Sequence, residues 1–457
     1  MPEKLNVCLM NDSFPPVIDG VANAVVNYAN VISSQLGNAT VVTPAYPNVV
    51  DNYPFEVVRY KSINIGKLCS YRAGYPFSSS KLQQLSDNGF DIIHTHCPWA
   101  SAVMARVLRE KTSAPIVLTY HTKFDVEIAC ALHNKTLQAQ AEKFVLGNIA
   151  ACDKVWTVSR GARDNLLEMA MRNDIELCGS QIDVIENGVD FPCGRAEDAF
   201  VAELRNSYKI QQDEPLFLFV GRLFWYKGVR LILDALKTIS TEGYSFRMLF
   251  VGDGGDRAEM EAYVEELGLS EQCIFVGAIH DREELRVYYT AADLFLFPSE
   301  YDTNGIVVRE AAACGVGSLL IYGSCASEGI THGHNGILTK ADPQAIAEEL
   351  RFACKNRSKM REIGDNAMSE IYISWDTAVK HAYSLYGGII EDAKANRTTR
   401  RESFIQEEFF SLMNTATDSI QKIRSIPYDV RDEFIEGRDK FKRTWQKLKD
   451  NIDHFIK

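Results

Sequence analysis

The chain has 457 residues, which at roughly 100 to 200 residues per domain predicts two or three domains and excludes a single small module. Hydrophobic residues make up 46% and charged residues 24%, which excludes bulk disorder. The net charge of -12 argues against nucleic-acid binding through an overall basic surface, and no apolar run approaches the roughly 20 residues of a membrane-spanning helix.

Short β-rich runs alternate with helix-length stretches along most of the chain. The first half is predicted to contain strands at 5–10, 39–43, 91–96, 115–121, 154–159 and 182–186. The second half is predicted to contain strands at 216–220, 247–251, 273–276, 293–297, 317–321 and 336–339. Apolar strands separated by helix-length segments indicate parallel sheets covered by helices. The sequence therefore predicts the α/β class, with two Rossmann-like domains facing across a cleft and a boundary in the turn-rich stretch 187–194.

Ligands of such sheets bind beyond the carboxyl ends of the strands, so residues that follow strands are the first candidates. Gly20 precedes an apolar helix and lets backbone approach a phosphate, although a purely structural helix start is an alternative. His121 lies at the end of the fourth strand and is either a cleft residue or a satisfied structural histidine. For His94 and His96 we favour a structural or cleft-lining role over a metal pair, because no acidic third partner is nearby.

Two cationic side chains follow the first predicted strand of the second half. Arg222 follows Gly221, and Lys227 comes five residues after Arg222. Arginine offers phosphate a planar fork and lysine a point charge, so both can neutralise one diphosphate. Surface cations flanking a turn are the alternative. The next strand exit is a glycine-rich turn where a nucleotide can approach backbone, at Gly252, Asp253 and Gly254.

The strongest local signal is a strand that ends at Pro298, followed by a polar loop and an apolar helical run. The predicted start of that helix comprises Asn304, Gly305 and Ile306. Free N–H groups at a helix N-terminus suit a phosphate or a sugar hydroxyl. Asp302 precedes the helix and Glu310 lies more than one turn inside it, so the two carboxylates can contact different parts of one ligand. A solvated helix face is the alternative for Glu310.

These motifs together resemble those of the retaining, nucleotide-sugar-dependent glycosyltransferases of the GT-B fold, glycosyltransferase family four. The matching patterns are G-R-L-x-x-x-K-G at 221–228, V-G-D-G at 251–254, P-S-x-x-[acid]-x-x-G-[IV]-V-x-x-E-A at 298–311 and A-C-G at 313–315. The resemblance covers about residues 5–390. The sequence Asp-Gly-Val at 19–21 is similar to that of the lipid enzymes in the family, of the diacylglycerol glucosyltransferase and phosphatidylinositol mannosyltransferase type.

The resemblance implies roles for individual residues. Arg222 and Lys227 would neutralise the donor diphosphate, and Glu310 would hold the ribose hydroxyls. Asp302 would contact the donor sugar near His121. The implied catalytic residues are His121, Asp302, Arg222 and Lys227. The implied donor-binding residues are Gly20, Gly221, Gly252, Asp253, Gly254, Asn304, Gly305, Ile306 and Glu310.

The sequence departs from the family at one of these positions. The family usually has Glu where this chain has Asp302, and Glu300 is a competing candidate. The spacing to Gly305 favours Asp302. The resemblance implies a hexosyltransferase that uses a nucleoside diphosphate sugar, most commonly UDP-glucose, and keeps the anomeric configuration. A covalent intermediate on Asp302 and one-face attack with the leaving phosphate as base both stay open.

Neither a cofactor nor a metal is expected, because the D-x-D pattern of metal-dependent sugar transferases is not evident. Two other function classes stay open. One is a nucleotide-sugar epimerase, because such enzymes share the GT-B architecture. The other is a non-catalytic subunit of a partner transferase, which the Asp302 departure would suit.

The resemblance also assigns the domains. Residues 1–195, with a returning helix at about 375–392, would form the acceptor domain, and 196–374 the donor domain. Residues 397–457 are predicted to form an amphipathic helical tail. Its last part, 438–457, has seven Lys and Arg against three Asp and Glu beside an apolar stripe, which suits either a membrane surface or packing on the body. The expected acceptor is a lipid or a glycan. The expected location is cytoplasmic, and peripheral contact with the inner face of the cell membrane stays open. A homodimer also stays open.

Overall fold

The computed structural model describes residues 4–17, 19–64, 72–132, 134–177, 179–300, 302 and 305–395. The predicted tail at 397–457, including the stretch 438–457, lies outside the described residues, as does Asn304. Two parallel sheets covered by helices form the described part, which confirms the predicted α/β class with two Rossmann-like halves.

The first half is built on a sheet of seven described strands that pair in parallel in the order β3-β2-β1-β6-β7-β8-β9. A separate antiparallel pair, β4 and β5, lies beyond β3 in the chain. The bounds are β1 Asn6–Met10, β2 Asn38–Pro44, β3 Glu56–Tyr60, β4 Ser62–Asn64, β5 Arg72–Gly74, β6 Ile92–Thr95, β7 Ile116–Tyr120, β8 Lys154–Thr157 and β9 Ile182–Val184.

The prediction of six strands in this half is wrong, because it omits β4, β5 and the edge strand β3. Its sequence, Glu-Val-Val-Arg-Tyr, places the exposed Glu56 at its start and alternates buried and partly exposed residues towards its end. An edge strand keeps polar side chains, so it does not form the continuous apolar run by which buried parallel strands are recognised.

The second half is built on a sheet of six described strands, all parallel, in the order β12-β11-β10-β13-β14-β15. All six predicted strands of this half are present. The bounds are β10 Leu216–Val220, β11 Arg247–Val251, β12 Cys273–Gly277, β13 Leu294–Phe297, β14 Ser318–Ile321 and β15 Ile337–Thr339.

Helices cover both sheets. Their bounds are α1 Gly20–Val31, α2 Ser79–Asp87, α3 Ala100–Thr112, α4 Phe124–Ala131, α5 Lys135–Ala150, α6 Arg160–Arg172, α7 Asp198–Ser207, α8 Val229–Thr241, α9 Arg257–Leu267, α10 Arg282–Ala291, α11 Ile306–Ala313, α12 Pro343–Lys355, α13 Arg357–Glu370 and α14 Trp375–Ala395. The last helix, α14, packs against α1, and Val379, Ala382 and Tyr386 share a core with β1. Of the helices that the structure describes, none combines the length and the apolar character needed to cross a membrane.

The strand order places the site. In the first sheet the chain proceeds outward from β1 to β3 and then returns to lay β6 on the other side of β1. In the second sheet β10 and β13 are neighbours in the same way. Loops on either side of such a switch diverge and leave a crevice at the carboxyl ends of the strands. Arg222 follows β10 and Asp302 follows β13, so both candidates lie at the switch of the second sheet.

Candidate active site

Lys227 and Asp302 meet at the exits of the neighbouring strands β10 and β13. The Lys227 Nζ atom lies 2.5 Å from Asp302 Oδ2, and the side chains are 15% and 20% exposed. Asp302 Oδ1 also accepts a hydrogen bond from the Gly305 backbone N–H at 3.2 Å. The interpretation of Lys227 as a surface cation is wrong, because its ammonium group points into this contact. The predicted diphosphate cation and the predicted sugar-binding acid therefore occupy one place.

Arg222 lies at the open side of the same loop. Its guanidinium group is 5.7 Å from the centre of the Phe224 ring and donates a 3.4 Å hydrogen bond to the Tyr226 hydroxyl. Phe224 and Tyr226 stack with their ring centres 5.6 Å apart. The Arg222 charge also reaches the first half, where it opposes the desolvation that raises the pKa of Glu127. Arg222 is thus exposed to the cleft rather than packed away from it.

Two helix N-termini approach each other across the cleft. Helix α11 begins after Gly305, whose φ of 57° lies in the left-handed region. A Cβ atom at Gly305 would lie 2.9 Å from the Ala326 Cβ atom, so a side chain has no room there. On the other side α1 begins at the exposed Gly20, and a Cβ atom at Gly20 would lie 3.9 Å from Ile306 Cδ1. The start of α11 therefore faces the start of α1, where the Asp19 carboxylate caps the helix by accepting the Ala22 N–H at 2.7 Å.

Glu310 lies inside α11 and is only 5% exposed, so the interpretation of a solvated helix face is wrong. The Arg282 guanidinium donates to its Oε1 at 3.0 Å, and the Tyr289 hydroxyl donates to its Oε2 at 2.9 Å. Burial raises the pKa of Glu310, and the Arg282 charge opposes that rise. These two donors hold the carboxylate in a fixed orientation, and ribose binding by Glu310 stays a prediction.

The glycine-rich turn after β11 packs against the loop after β10. A Cβ atom at Gly252 would lie 2.0 Å from the Gly221 carbonyl oxygen, and one at Gly254 would lie 2.3 Å from the Leu223 carbonyl oxygen. The Asp253 carboxylate accepts the Gly254 N–H at 2.8 Å. Close contact between the two loops therefore explains these glycines, and donor binding by the turn stays a prediction.

His121 follows β7 and is 7% exposed. Its Nε2 atom lies 2.9 Å from His96 Nδ1, and the Asn187 side-chain amide lies 3.5 Å from its Nδ1. Burial lowers the pKa of His121 to about 3. The imidazole is therefore neutral near pH 7. The structural or cleft-lining role favoured for His96 takes the form of a buried, direct hydrogen bond to the predicted catalytic histidine.

No group of three or more His, Cys, Asp or Glu side chains within the described residues is arranged to hold a metal ion. The absence of a metal requirement stays a prediction. The cysteines whose side chains the structure describes, which include Cys8 and Cys325, are free thiols.

The second half also contacts the first away from the cleft centre. The Glu328 carboxylate accepts the backbone N–H groups of Arg160 at 2.7 Å and Gly161 at 2.6 Å, at the start of α6. Arg282 bonds Asp190 at 3.1 Å in the segment that links the two sheets, and Asp190 in turn accepts from Asn23 of α1 at 2.8 Å. Polar contacts that join the halves thus flank the space between the two helix N-termini.

Family models match both halves. Residues 18–191 match the model described as Glycosyltransferase Family 4, and residues 200–370 match the model described as Glycosyl transferases group 1. Together the matches span most of the chain. The chain belongs to glycosyltransferase family four.

Proteins of similar sequence agree with this family assignment. An uncharacterized glycosyltransferase of Methanocaldococcus jannaschii is 26% identical over 67% of this chain and 77% of its own length. The alpha-monoglucosyldiacylglycerol synthase of Streptococcus pneumoniae is 22% identical over 68% of this chain and 70% of its own. The D-inositol 3-phosphate glycosyltransferase of Xylanimonas cellulosilytica is 27% identical over 70% of this chain and 76% of its own.

Solved structures confirm the predicted GT-B fold. Anabaena HepE, in complex with UDP-glucose, superposes with a TM-score of 0.66 at 19% identity and covers 84% of this chain and 100% of its own. The sucrose-phosphate synthase of Thermosynechococcus elongatus superposes with a TM-score of 0.66 at 21% identity and covers 85% of this chain and 100% of its own.

The sequence analysis did not find the residues that hold the Glu310 carboxylate in place. Arg282 lies 28 residues before Glu310, and Tyr289 lies 21 residues before it. Arg282 and Tyr289 both belong to α10. Nothing in the sequence around Arg282 links it to a carboxylate on a different helix. The His96 contact had a signal, since His96 and His121 end two predicted strands that are consecutive in the chain, and consecutive strands are often neighbours.

Proposed function

We propose that this chain is a retaining hexosyltransferase that moves a hexose from a nucleoside diphosphate sugar, with UDP-glucose the first candidate, to a hydroxyl group of an acceptor. One contact carries the proposal: Lys227 touches Asp302 beside the N-terminus of α11. A diphosphate needs cations and a sugar needs hydrogen-bond acceptors. This contact places a cation and an acceptor together at the start of α11, where Asp302 accepts the Gly305 N–H.

The leaving diphosphate gains negative charge in the transition state. Lys227 and Arg222 are placed to offset it, together with the N–H groups at the start of α11. Groups that are oriented before the reaction stabilise developing charge without further reorganisation, and they usually supply the largest part of the rate enhancement. Preorganised electrostatics therefore explains the proposed reaction without a nucleophilic side chain.

The contacts of Asp302 favour one of the two mechanisms left open by the sequence. Lys227 holds one carboxylate oxygen, and the Gly305 N–H holds the other. A diphosphate that takes Lys227 frees Oδ2, but Oδ1 still accepts the Gly305 N–H, which makes the carboxylate a weaker nucleophile. We therefore propose attack by the acceptor hydroxyl on the face that the diphosphate leaves, with a leaving phosphate oxygen as base.

The acceptor is proposed to be a diacylglycerol-type lipid, with a glycan or another polyol as the alternative. A relative named alpha-monoglucosyldiacylglycerol synthase supports the lipid, and one named D-inositol 3-phosphate glycosyltransferase supports the alternative. The net +4 charge of 438–457 beside its apolar stripe adds support for contact with an anionic membrane surface. The enzyme would then act at the cytoplasmic face of the cell membrane.

The test is a screen of the purified full chain with UDP-glucose and GDP-mannose against dioctanoylglycerol micelles and soluble sugars. Products are identified by mass spectrometry and their anomeric configuration by proton NMR. Transfer from UDP-glucose with an α-linked product is expected. A β-linked product would contradict retention. Epimerisation of the donor without acceptor would favour the epimerase, and UDP binding without turnover of either donor would favour the non-catalytic subunit.

A further inference from the structure

Three histidines form a buried row beneath the cleft. His94, His96 and His121 are 0%, 1% and 7% exposed. The ring centres of His94 and His96 are 4.1 Å apart, and those of His96 and His121 are 5.2 Å apart with the rings inclined by 21°. A single hydrogen bond joins the last two rings, between His96 Nδ1 and His121 Nε2.

The pair is neutral near pH 7, because burial lowers the pKa of both imidazoles. One hydrogen must then lie between the two nitrogens, and either ring can be its donor. The choice fixes the tautomer of His121.

The far side of His96 decides the choice. Its Nε2 atom is buried and has no hydrogen-bond partner among the described residues. A hydrogen there would be a buried donor without an acceptor, which is rarer in folded proteins than an unpaired acceptor. The hydrogen of His96 therefore belongs on Nδ1, from which it donates to His121 Nε2. The hydrogen of His121 is then on Nδ1, which lies 3.5 Å from the Asn187 amide nitrogen, and a half-turn of the Asn187 amide brings its oxygen there to accept this hydrogen.

We propose that His96 is a positioning residue that fixes the tautomer and the ring orientation of His121 in the cleft. This role rests on the proposed function, in which His121 lies near the reacting sugar. His94 lies beside His96, but its hydrogen bonds go outside the His96–His121 pair. Its Nδ1 atom lies 2.7 Å from the Tyr386 hydroxyl of α14, and its Nε2 atom lies 2.7 Å from the Thr119 hydroxyl.

Two substitutions at the same position test the hydrogen bond. The side-chain amide of His96→Asn occupies the place of Nδ1, whereas that of His96→Gln reaches the place of Nε2. We expect His96→Asn to keep kcat within about threefold of the wild type and His96→Gln to lose roughly tenfold or more, because small displacements of reacting groups have effects of this size. The donor KM and the UDP affinity should stay unchanged in both variants.

A control and a spectroscopic readout separate positioning from packing. The control is His94→Gln, which changes an equally buried histidine whose ring nitrogens bond Thr119 and Tyr386; its kcat should stay near that of the wild type. Long-range proton–nitrogen NMR should show the His121 hydrogen on Nδ1 in the wild type and a changed tautomer in His96→Gln. Melting temperatures establish that each variant is folded.

The outcomes are distinct. Equal losses in His96→Asn, His96→Gln and His94→Gln would show a general packing role and overturn the proposal, as would an Nε2 hydrogen on His121 in the wild type. Unchanged kcat in a folded His96→Gln variant would overturn the positioning role alone. A wild-type chain that transfers no sugar would overturn the proposed function itself.

Discussion

Replacing Asp302 by Asn should tighten the binding of UDP while it impairs transfer. In the free protein the Lys227 ammonium group is engaged by the Asp302 carboxylate at 2.5 Å. A diphosphate that binds Lys227 must compete with this carboxylate and is also repelled by it. Asparagine keeps the shape of the side chain and removes both effects.

The size of the gain follows from the exposure of the pair. Fully exposed ion pairs contribute about 0.2 to 1 kcal/mol, and side chains that are 15% and 20% exposed belong at the upper end of that range or slightly above it. A gain of about 1 kcal/mol corresponds to roughly fivefold tighter binding of UDP. Lys227→Ala should instead weaken binding roughly tenfold or more, because hydrogen bonds to charged groups contribute about 1.5 to 3 kcal/mol.

Calorimetric titration with UDP at low and high salt measures both effects, and the gain should shrink at high salt because exposed charges are screened. Glu300→Gln is the matched control, since it removes the same charge from an exposed residue two positions away. Unchanged or weaker UDP binding in Asp302→Asn would refute the competition, and an equal gain in Glu300→Gln would reduce it to a general charge effect.

Four further outcomes are expected. Glu310→Gln should lower transfer roughly tenfold or more, because an amide places donors where the ribose hydroxyls need an acceptor; wild-type turnover would return Glu310 to a structural role. EDTA should leave transfer intact, and a loss restored by Mg²⁺ would show a missed metal site. Deleting 438–457 should reduce sedimentation with anionic vesicles at unchanged UDP affinity, whereas a lowered melting temperature alone would indicate packing. Below about pH 6.5 His94, His96 and His121 become protonated in the unfolded chain, while their lowered pKa values keep the folded rings neutral. The free energy of unfolding should therefore decrease as the pH is lowered, by at most about 1.4 kcal/mol per pH unit for each histidine. A melting temperature that does not change between pH 7 and 5 would contradict this.

The sequence predicted the strand exits well because both faces of a parallel strand are buried. Leu216–Val220 and Leu294–Phe297 are continuous apolar runs, and such runs are recognisable without a partner. Residues that follow them were therefore good candidates. Edge strand β3 and the partners of Glu310 could not be found in this way, because both depend on which distant element packs nearby.

The Lys227–Asp302 contact shows the same limit. The two residues are 75 positions apart, and each was assigned from its own motif. Their meeting follows from the pairing of β10 with β13, which local patterns do not specify. The sequence thus indicated which residues to expect in the site. The strand order brings Lys227 and Asp302 into contact with each other in the free protein.

The helix N-termini show how the fold keeps one anion site open. The start of α6 is occupied, because Glu328 of the second half accepts two of its backbone N–H groups. The N-cap residue of α11 is instead Gly305, which has no side chain to accept from the first turn. A glycine N-cap lowers helix stability by only a few tenths of a kcal/mol relative to Ser or Asp. The small loss would leave N–H groups at α11 for a diphosphate, next to Lys227, which is proposed to bind the same group.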